Sequence, residues 1–433
     1  MAPLATSFVF GTGHAERPLA TFLGLEFAAF VAYFLAVEII RRARSRPWHF
    51  GFILGVALAC RLVLAPAGMI QEVDPYRYVW DGQTILAGAN PYVLAPEEAH
   101  EAGAAPAGGL GPAGRFVYER INYRHVPTIY PPVAQGLFAI GQWLTPWGLG
   151  GWKALVFFAE AASVVLLALL LVRLGRPLSW VVVYAWSPLA LKEFSNSLHL
   201  DAFVVLGLSA FLLAVVRGRW LPAFAAIAWV TLLKFFAVAL VPIVAALVWR
   251  RDRARAVQGV VLFGALIVVA YLPWADARLQ LFDGLFAFAQ GWQQNDSLFS
   301  LATFVVGDHA RALCGLSMAI AVVLAATLVH RNPEPMCAAG ASLVVIVAIF
   351  LLAPTSNPWY FTWALPFLVV FPSRALLALS GLLFLYYADF YFLYRGESER
   401  FEVVRWLEYL PFYLWLVAEF WQARRGGRPG WRV

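Results

Sequence analysis

Glu72 and Asp74 stand two apart at the start of QEVDPYRYVWDGQTILAGANPYVLAP, and Asp81 follows in the same segment beside tyrosines and tryptophan. A carboxylate at a wet boundary can act as a general base toward an acceptor hydroxyl, and two nearby acids can divide roles. The pair also has the form acid-x-acid, which can hold a divalent cation through oxygen ligands; no metal ligand is assigned, and a cation stays open. A plainer account competes: Pro75 opens a short helix, Asp74 caps it, and Asp81 sits about two turns on along a solvated face. Tyr76, inside the segment, is a candidate substrate-binding residue.

Further along, NYRHVPTIYPPVAQ sets Arg124 and His125 before a double proline. Either they anchor the chain at the headgroup level with Tyr123 and Tyr130, or they bind phosphate, since guanidinium and imidazolium donors stabilise anionic leaving groups. LKEFSNSLHLDAF concentrates Lys192, Glu193, Asn196, His199 and Asp201 in one tight turn. That turn is either simply polar or functional, with His199 as a candidate phosphate donor and Lys192 as a candidate substrate-binding residue. Only three of the 32 basic residues are lysines, Lys153, Lys192 and Lys234, and Lys234 lies inside the apolar stretch WVTLLKFFAVALVP. An ionisable group at membrane depth costs at least about 2.5 kcal/mol unless paired or watered. Lys234 therefore snorkels from a helix end or meets a phosphate or an acid in a cavity. In TSNPWYFTWALPF the aromatic residues suit an interfacial belt, and Asn357 before Pro358 is a candidate site-lining residue.

The elements that must hold these residues are transmembrane helices. Of 433 residues, 62% are hydrophobic and 13% charged, against about 25% charged in soluble domains. Apolar blocks recur from residue 20 to residue 421, which predicts an all-α polytopic membrane protein with about 12–14 transmembrane helices. Block 220–249 is too long for one span and predicts two short helices meeting near Lys234. The stretch 131–148 predicts an interfacial or partly inserted helix. Arginines cluster in the connections at 41–46, 173–176, 217–219, 250–255 and 424–432, so the net charge of +7 fixes topology rather than recruiting nucleic acid.

The positive-inside rule makes that face cytoplasmic. The opposite face then carries 70–130 as an exoplasmic catalytic loop with short interfacial helices and 274–297 as a second exoplasmic loop. The turns 195–201, 355–359 and 396–405 belong to the same face. Residues 1–433 read as one membrane domain, since the longest polar stretch is too short for much independent folding. The stretch 100–114, rich in Ala, Gly and Pro, predicts little regular structure and a mobile flap. Cys60, Cys314 and Cys337 fall in apolar blocks and imply no disulfide framework. No cleaved signal peptide is expected before the first apolar block.

The ordered series of an acid after an early span, YVWDGQ, GANPY, YPPVAQ, LKFFAVALVP and SNPWYFTWALPF resembles the GT-C glycosyltransferases. It is most similar to polyprenol-phosphate-mannose-dependent mannosyltransferases, and the first mannosyltransferase of GPI-anchor assembly has a similar order. The resemblance spans about 70 to 370. It implies an inverting transfer of a sugar, mannose first, from a polyprenyl-phosphate donor to a hydroxyl of a glycan, glycolipid or protein. It also implies a site on the outer face of a bacterial plasma membrane. Asp74 matches the general base, Asp81 a second acid that binds acceptor, and Lys234 the lysine that contacts donor phosphate. Two departures stand out: an extra early span over 20–40, and Glu72 with Asp74 where GPI-type relatives carry two aspartates.

A transporter or flippase of a lipid-linked or anionic substrate is the alternative, and a sugar-polymer ligase a further one. Transporters often show two related halves, whereas DPYRYVWDG and LKFFAVAL each occur once. A ligase is expected to carry its main loop late in the chain. Cysteines placed in 70–130 are expected to react with an impermeant reagent from outside intact cells; labelling only after the cytoplasm is opened would overturn this topology.

Overall fold

The computed structural model describes residues 19–43, 46–104, 106 and 110–425. Among them every regular element is helical, and the one β feature is an isolated parallel bridge between Gln294 and Thr355. Seven helices among the described residues are long and apolar enough to cross a bilayer: Leu19–Arg42, Pro47–Leu64, Gly150–Arg173, Arg253–Gly291, Leu298–Arg331, Pro335–Leu352 and Arg374–Leu393. Their outward faces carry bare apolar side chains, such as Phe158 at 69% and Phe304 at 88% exposure. Lipid suits such faces and water does not. The chain is a multi-pass helical membrane protein.

Shorter helices fill the interior. Asp201–Val216 is apolar on every side and almost wholly buried, as a helix enclosed by other helices must be. It packs between Gly150–Arg173 and Trp220–Thr231, closely enough that a Cβ on Gly207 would sit 2.5 Å from Val230 Cγ2. The apolar block 220–249 breaks where predicted. Trp220–Thr231 ends, Lys234 is extended (φ −149°, ψ 123°), and a 3-10 segment Phe235–Leu240 leads into Val241–Trp249.

A broken helix leaves backbone groups without partners. Here the Leu232 carbonyl accepts from the backbone N–H of Val133 and Ala134 at 3.1 and 3.4 Å. Those donors open the helix Pro132–Leu144, so the stretch 131–148 is a short helix docked on the break. It packs against both Asp74–Leu86 and Gly150–Arg173.

Arginine-bearing connections gather at one end. Arg251 lies over the Trp220 ring and donates to the Pro333 carbonyl. Arg176 donates to the Val370 carbonyl, Arg374 pairs with Glu38 at 2.7 Å, and the Arg374 backbone N–H donates to Glu419. Arg44, from the predicted cluster at 41–46, and residues 426–432 of the C-terminal one lie outside the described residues. Buried ion pairs weld the traverses: Arg61 to Glu160 at 2.7 Å, and Arg405 to Asp296 at 3.1 Å.

At the other end the segment 70–130 folds as Asp74–Leu86, Pro96–Glu101 and Pro112–Tyr118 around a small core of Val79, Trp80, Ala99, Val117 and Ile121. The last two helices bound the irregular stretch predicted at 100–114. The flap expectation falls partly on residues 105 and 107–109, outside the described residues. All three cysteines are free.

Asp74–Leu86 approaches Pro132–Leu144 at Gly82, where a Cβ would lie 2.5 Å from the Phe138 carbonyl oxygen. Backbone cannot yield cheaply, so Gly82→Ala is expected to cost about 1–3 kcal/mol. The check is a lowered thermal midpoint in detergent; an unchanged midpoint would show that the two helices are not in contact.

Candidate functional site

Of the segments predicted to share one face, 70–130, 274–297 and 355–359 converge on a cavity of about 420 Å³, whereas 195–201 and 396–405 contribute no residue to its wall. Its wall takes Gln71 to Asp74 and Arg77 from the early acidic segment, and Tyr123 and Tyr130 from the stretch before the double proline. Lys234 from the broken helix, Trp292 and Gln294, Asn357, Trp359 and Tyr360, and Tyr386 also face it.

The acidic end of this wall is set by backbone geometry. After Pro47–Leu64 the chain turns sharply, with Gln71 in the left-handed region at φ 52°. Asn196 straps the turn, its Oδ1 accepting from Ile70 N–H at 3.0 Å and its Nδ2 donating to the Gly68 carbonyl at 2.8 Å. Glu72 Oε1 accepts from the backbone N–H of Val73 and Asp74 at 2.9 and 3.1 Å. Those are free donors at the start of Asp74–Leu86, so Glu72 serves the helix N-terminus. The capping role expected of Asp74 is thereby corrected: Val73 holds the N-cap position and Asp74 begins the helix. Its carboxylate remains 27% exposed, on the cavity wall.

Opposite charges face it. Lys234 Nζ lies 3.6 Å from Asp201 Oδ2 and 4.4 Å from the centre of the Tyr360 ring. Asp201 is held in turn by Trp363 Nε1, which donates to its Oδ1 at 2.7 Å. His199 Nδ1 is 3.9 Å from Asp74 Oδ2. Burial, with Glu72 beside it, pushes the Asp74 carboxyl up to about 7, against the opposing pull of His199 and Lys234. Burial also raises Glu72, but His199, together with Lys192 and the Asp74 backbone N–H, leaves Glu72 below the usual carboxylate range. Two neighbouring acids thus separate in affinity for a proton, the pattern expected of a division between structural anion and base. An acid half-ionised near neutrality, open to a cavity and facing a cation, can accept a proton from a hydroxyl and release it again.

Of the candidate residues, Glu72, Asp74, Lys234 and Asn357 line the cavity. The others do not. Asp81 is neither solvated nor placed to bind an acceptor: at 1% exposure it accepts from Arg77 Nε at 2.7 Å, Thr128 Oγ1 at 2.6 Å and Gln135 Nε2 at 3.3 Å. Tyr76 turns toward Phe116, 5.9 Å between ring centres, and away from the cavity. Arg124 lies over the Tyr118 ring and gives its carbonyl to Glu97 N–H, while His125 is exposed beside Tyr123. Neither Arg124 nor His125 is placed to hold a phosphate in the cavity. Lys192 and His199 are fully buried behind the wall; Lys192 donates to Ser197 Oγ and to Tyr387 OH at 2.5 and 3.0 Å.

Arg77 is the cation that sequence reasoning missed. It lines the cavity while bonded to Asp81 and to the Val126 carbonyl at 2.9 Å. Its four-residue spacing from Asp81 was a usable signal, since such pairs meet on a helix. Gln294 was hidden in the run GWQQNDS; its Nε2 donates to Tyr386 OH at 3.0 Å. Among the described residues no group of three or more His, Cys, Asp or Glu is arranged to hold a metal ion.

No protein-family model matches the chain, and no curated protein matches it. The geometry of the cavity and the sequence motifs carry the functional argument.

Asp81→Asn leaves a buried guanidinium without its counter-ion, a loss of about 3–5 kcal/mol. A thermal midpoint in detergent well below that of the parent protein is expected; parity would put Asp81 outside the structural network.

Proposed function

We propose that this protein is an inverting glycosyltransferase of the GT-C class. It moves a sugar, mannose by the motif resemblance, from a polyprenyl-phosphate donor to a hydroxyl of a glycan, glycolipid or protein. The observation that carries the proposal is the uncapped Asp74 carboxylate on the wall of the same cavity as Lys234 and Arg77. One base and a receptor for departing phosphate suffice for a single displacement. The acceptor oxygen attacks the anomeric carbon as its proton passes to Asp74. The bond from that carbon to the phosphate oxygen breaks, and the electron pair leaves with the lipid phosphate. Lys234, already on the cavity wall, meets the charge that develops there, with Arg77 as a second cation.

The wall around these groups is aromatic, with Tyr123, Trp292, Trp359 and Tyr360. Such side chains offer apolar faces with polar edges, suited to a sugar joined to a lipid. Counting the traverses 178–196, 201–216, 220–231, 235–249, 358–371 and 401–425 with the seven helices above gives thirteen crossings among the described residues. The arginine-bearing end then faces the cytoplasm and the cavity faces outward, in a bacterial plasma membrane. The motif order and the shared cavity support this reading together.

The test is transfer of radiolabelled mannose from polyprenyl-phosphate-mannose in proteoliposomes. Asp74→Asn is expected to lower turnover by about 10²–10⁴-fold with donor binding retained. Lys234→Ala is expected to weaken donor binding by roughly tenfold or more, as loss of a charge-assisted contact does. Because the base works deprotonated, wild-type turnover should rise with pH and reach half its plateau near the value of about 7 set for Asp74. Wild-type turnover in Asp74→Asn would sink the proposal. Movement of labelled donor across the bilayer without transfer would replace it with the flippase reading.

A further inference from the structure

His199 has no exposed surface and touches neither solvent nor the cavity, yet it lies among three carboxylates. Its Nε2 is 3.3 Å from Glu72 Oε2 and 3.3 Å from Glu193 Oε2, and its Nδ1 is 3.9 Å from Asp74 Oδ2. The ring stacks on Trp359, a cavity-wall residue, with 4.0 Å between centres and 17° between planes. Glu193 and Lys192 belong to one turn of π-helix, Leu191–Asn196, a distortion that tends to occur at functional sites. His199 follows that turn and Asp201 opens the next helix, so one short stretch delivers groups to both sides of Asp74.

We propose that His199 is a positioning residue that acts through Asp74. Held between Glu72 and Glu193, its imidazole fixes the charge balance around the cavity-wall acid and so sets the pH range in which that acid is a base.

The other charged groups around the cluster are Lys192, the Lys234–Asp201 pair and Glu26, a fully buried carboxylate that interacts with Lys192 and Glu193 and has no hydrogen bond of its own among the described residues. Tyr387 OH donates to Glu193 Oε1 at 2.6 Å and receives from Lys192, so Lys192 reaches the cluster through Tyr387. On the far side of Asp74, Lys234 is paired with Asp201. Glu72 is the nearest like charge to Asp74 and is bound to the same backbone turn. When protonated, His199 is therefore the cation between the two acids, and its removal leaves their repulsion uncompensated. The cluster carries burial as an added penalty on any unbalanced charge. Removing the imidazole must raise the proton affinity of Asp74, whereas removing the Glu72 charge must lower it.

The inference rests on the proposed function only for what the tuned acid is used for, so the readout requires no substrate. Protein in proteoliposomes is treated with a hydrophobic carbodiimide, which modifies protonated carboxyls, and Asp74 modification is followed by mass spectrometry across pH. Wild type is expected to lose half its labelling near pH 7. His199→Gln should move that midpoint up, and Glu72→Gln should move it down, each by about one pH unit. A packing role for His199 would change melting without producing shifts of opposite sign. Unmoved midpoints in folded variants overturn the inference; if His199→Gln does not fold, an unmoved Glu72→Gln does so alone. Opposite shifts without mannose transfer would keep the role of His199 and sink the proposed function, and transfer with unmoved midpoints would do the reverse.

Discussion

An ionisable side chain inside a membrane protein must find a partner, and that constraint organises this molecule. Lys234 sits in an apolar stretch with its charge 3.6 Å from Asp201, and holding it there requires the helix to break around it. The break frees the Leu232 carbonyl, which the start of Pro132–Leu144 satisfies. That helix in turn supports Asp74–Leu86 at the glycine contact of Gly82 with Phe138. The acid and the cation of the cavity are thus linked by backbone geometry as well as by charge. Elsewhere the same rule produces the Arg61–Glu160 and Arg405–Asp296 pairs, which tie distant traverses together.

Within the cavity the labour is divided by hydrogen bonding. Glu72 spends one oxygen on backbone donors and turns the other toward His199, so it is held as an anion. Asp74 has no such engagement, and its higher proton affinity follows first from burial and then from the anion next to it. Two acids separated by one residue therefore differ because their surroundings differ, which residue type alone does not reveal.

Local chemistry made part of this legible in the sequence. A lysine in an apolar block that is too long for one span predicts a break, and the break is there. An acid where a span ends predicts a boundary site, and Asp74 lies on a cavity wall. Side-chain direction was not legible. Asp81 is two turns from Asp74 and looked solvated, but long-range packing against Thr128 and Gln135 encloses it. Arg124 and His125 carry the right chemistry, and the fold of Pro96–Glu101 and Pro112–Tyr118 directs them away. Lys192 and His199 fall one layer behind the wall because the π-turn tucks them under Trp359 and Tyr387. Each miss concerns tertiary packing that spacing along the chain does not encode.

The central claim, that Asp74 and Lys234 face one reacting centre, is tested most directly by a cryo-electron microscopy map with polyprenyl-phosphate-mannose bound. The account predicts phosphate density in contact with Lys234 and the sugar between that phosphate and the Asp74 carboxylate. Donor density elsewhere, with the cavity empty and Lys234 touching only Asp201 and Tyr360, would contradict it.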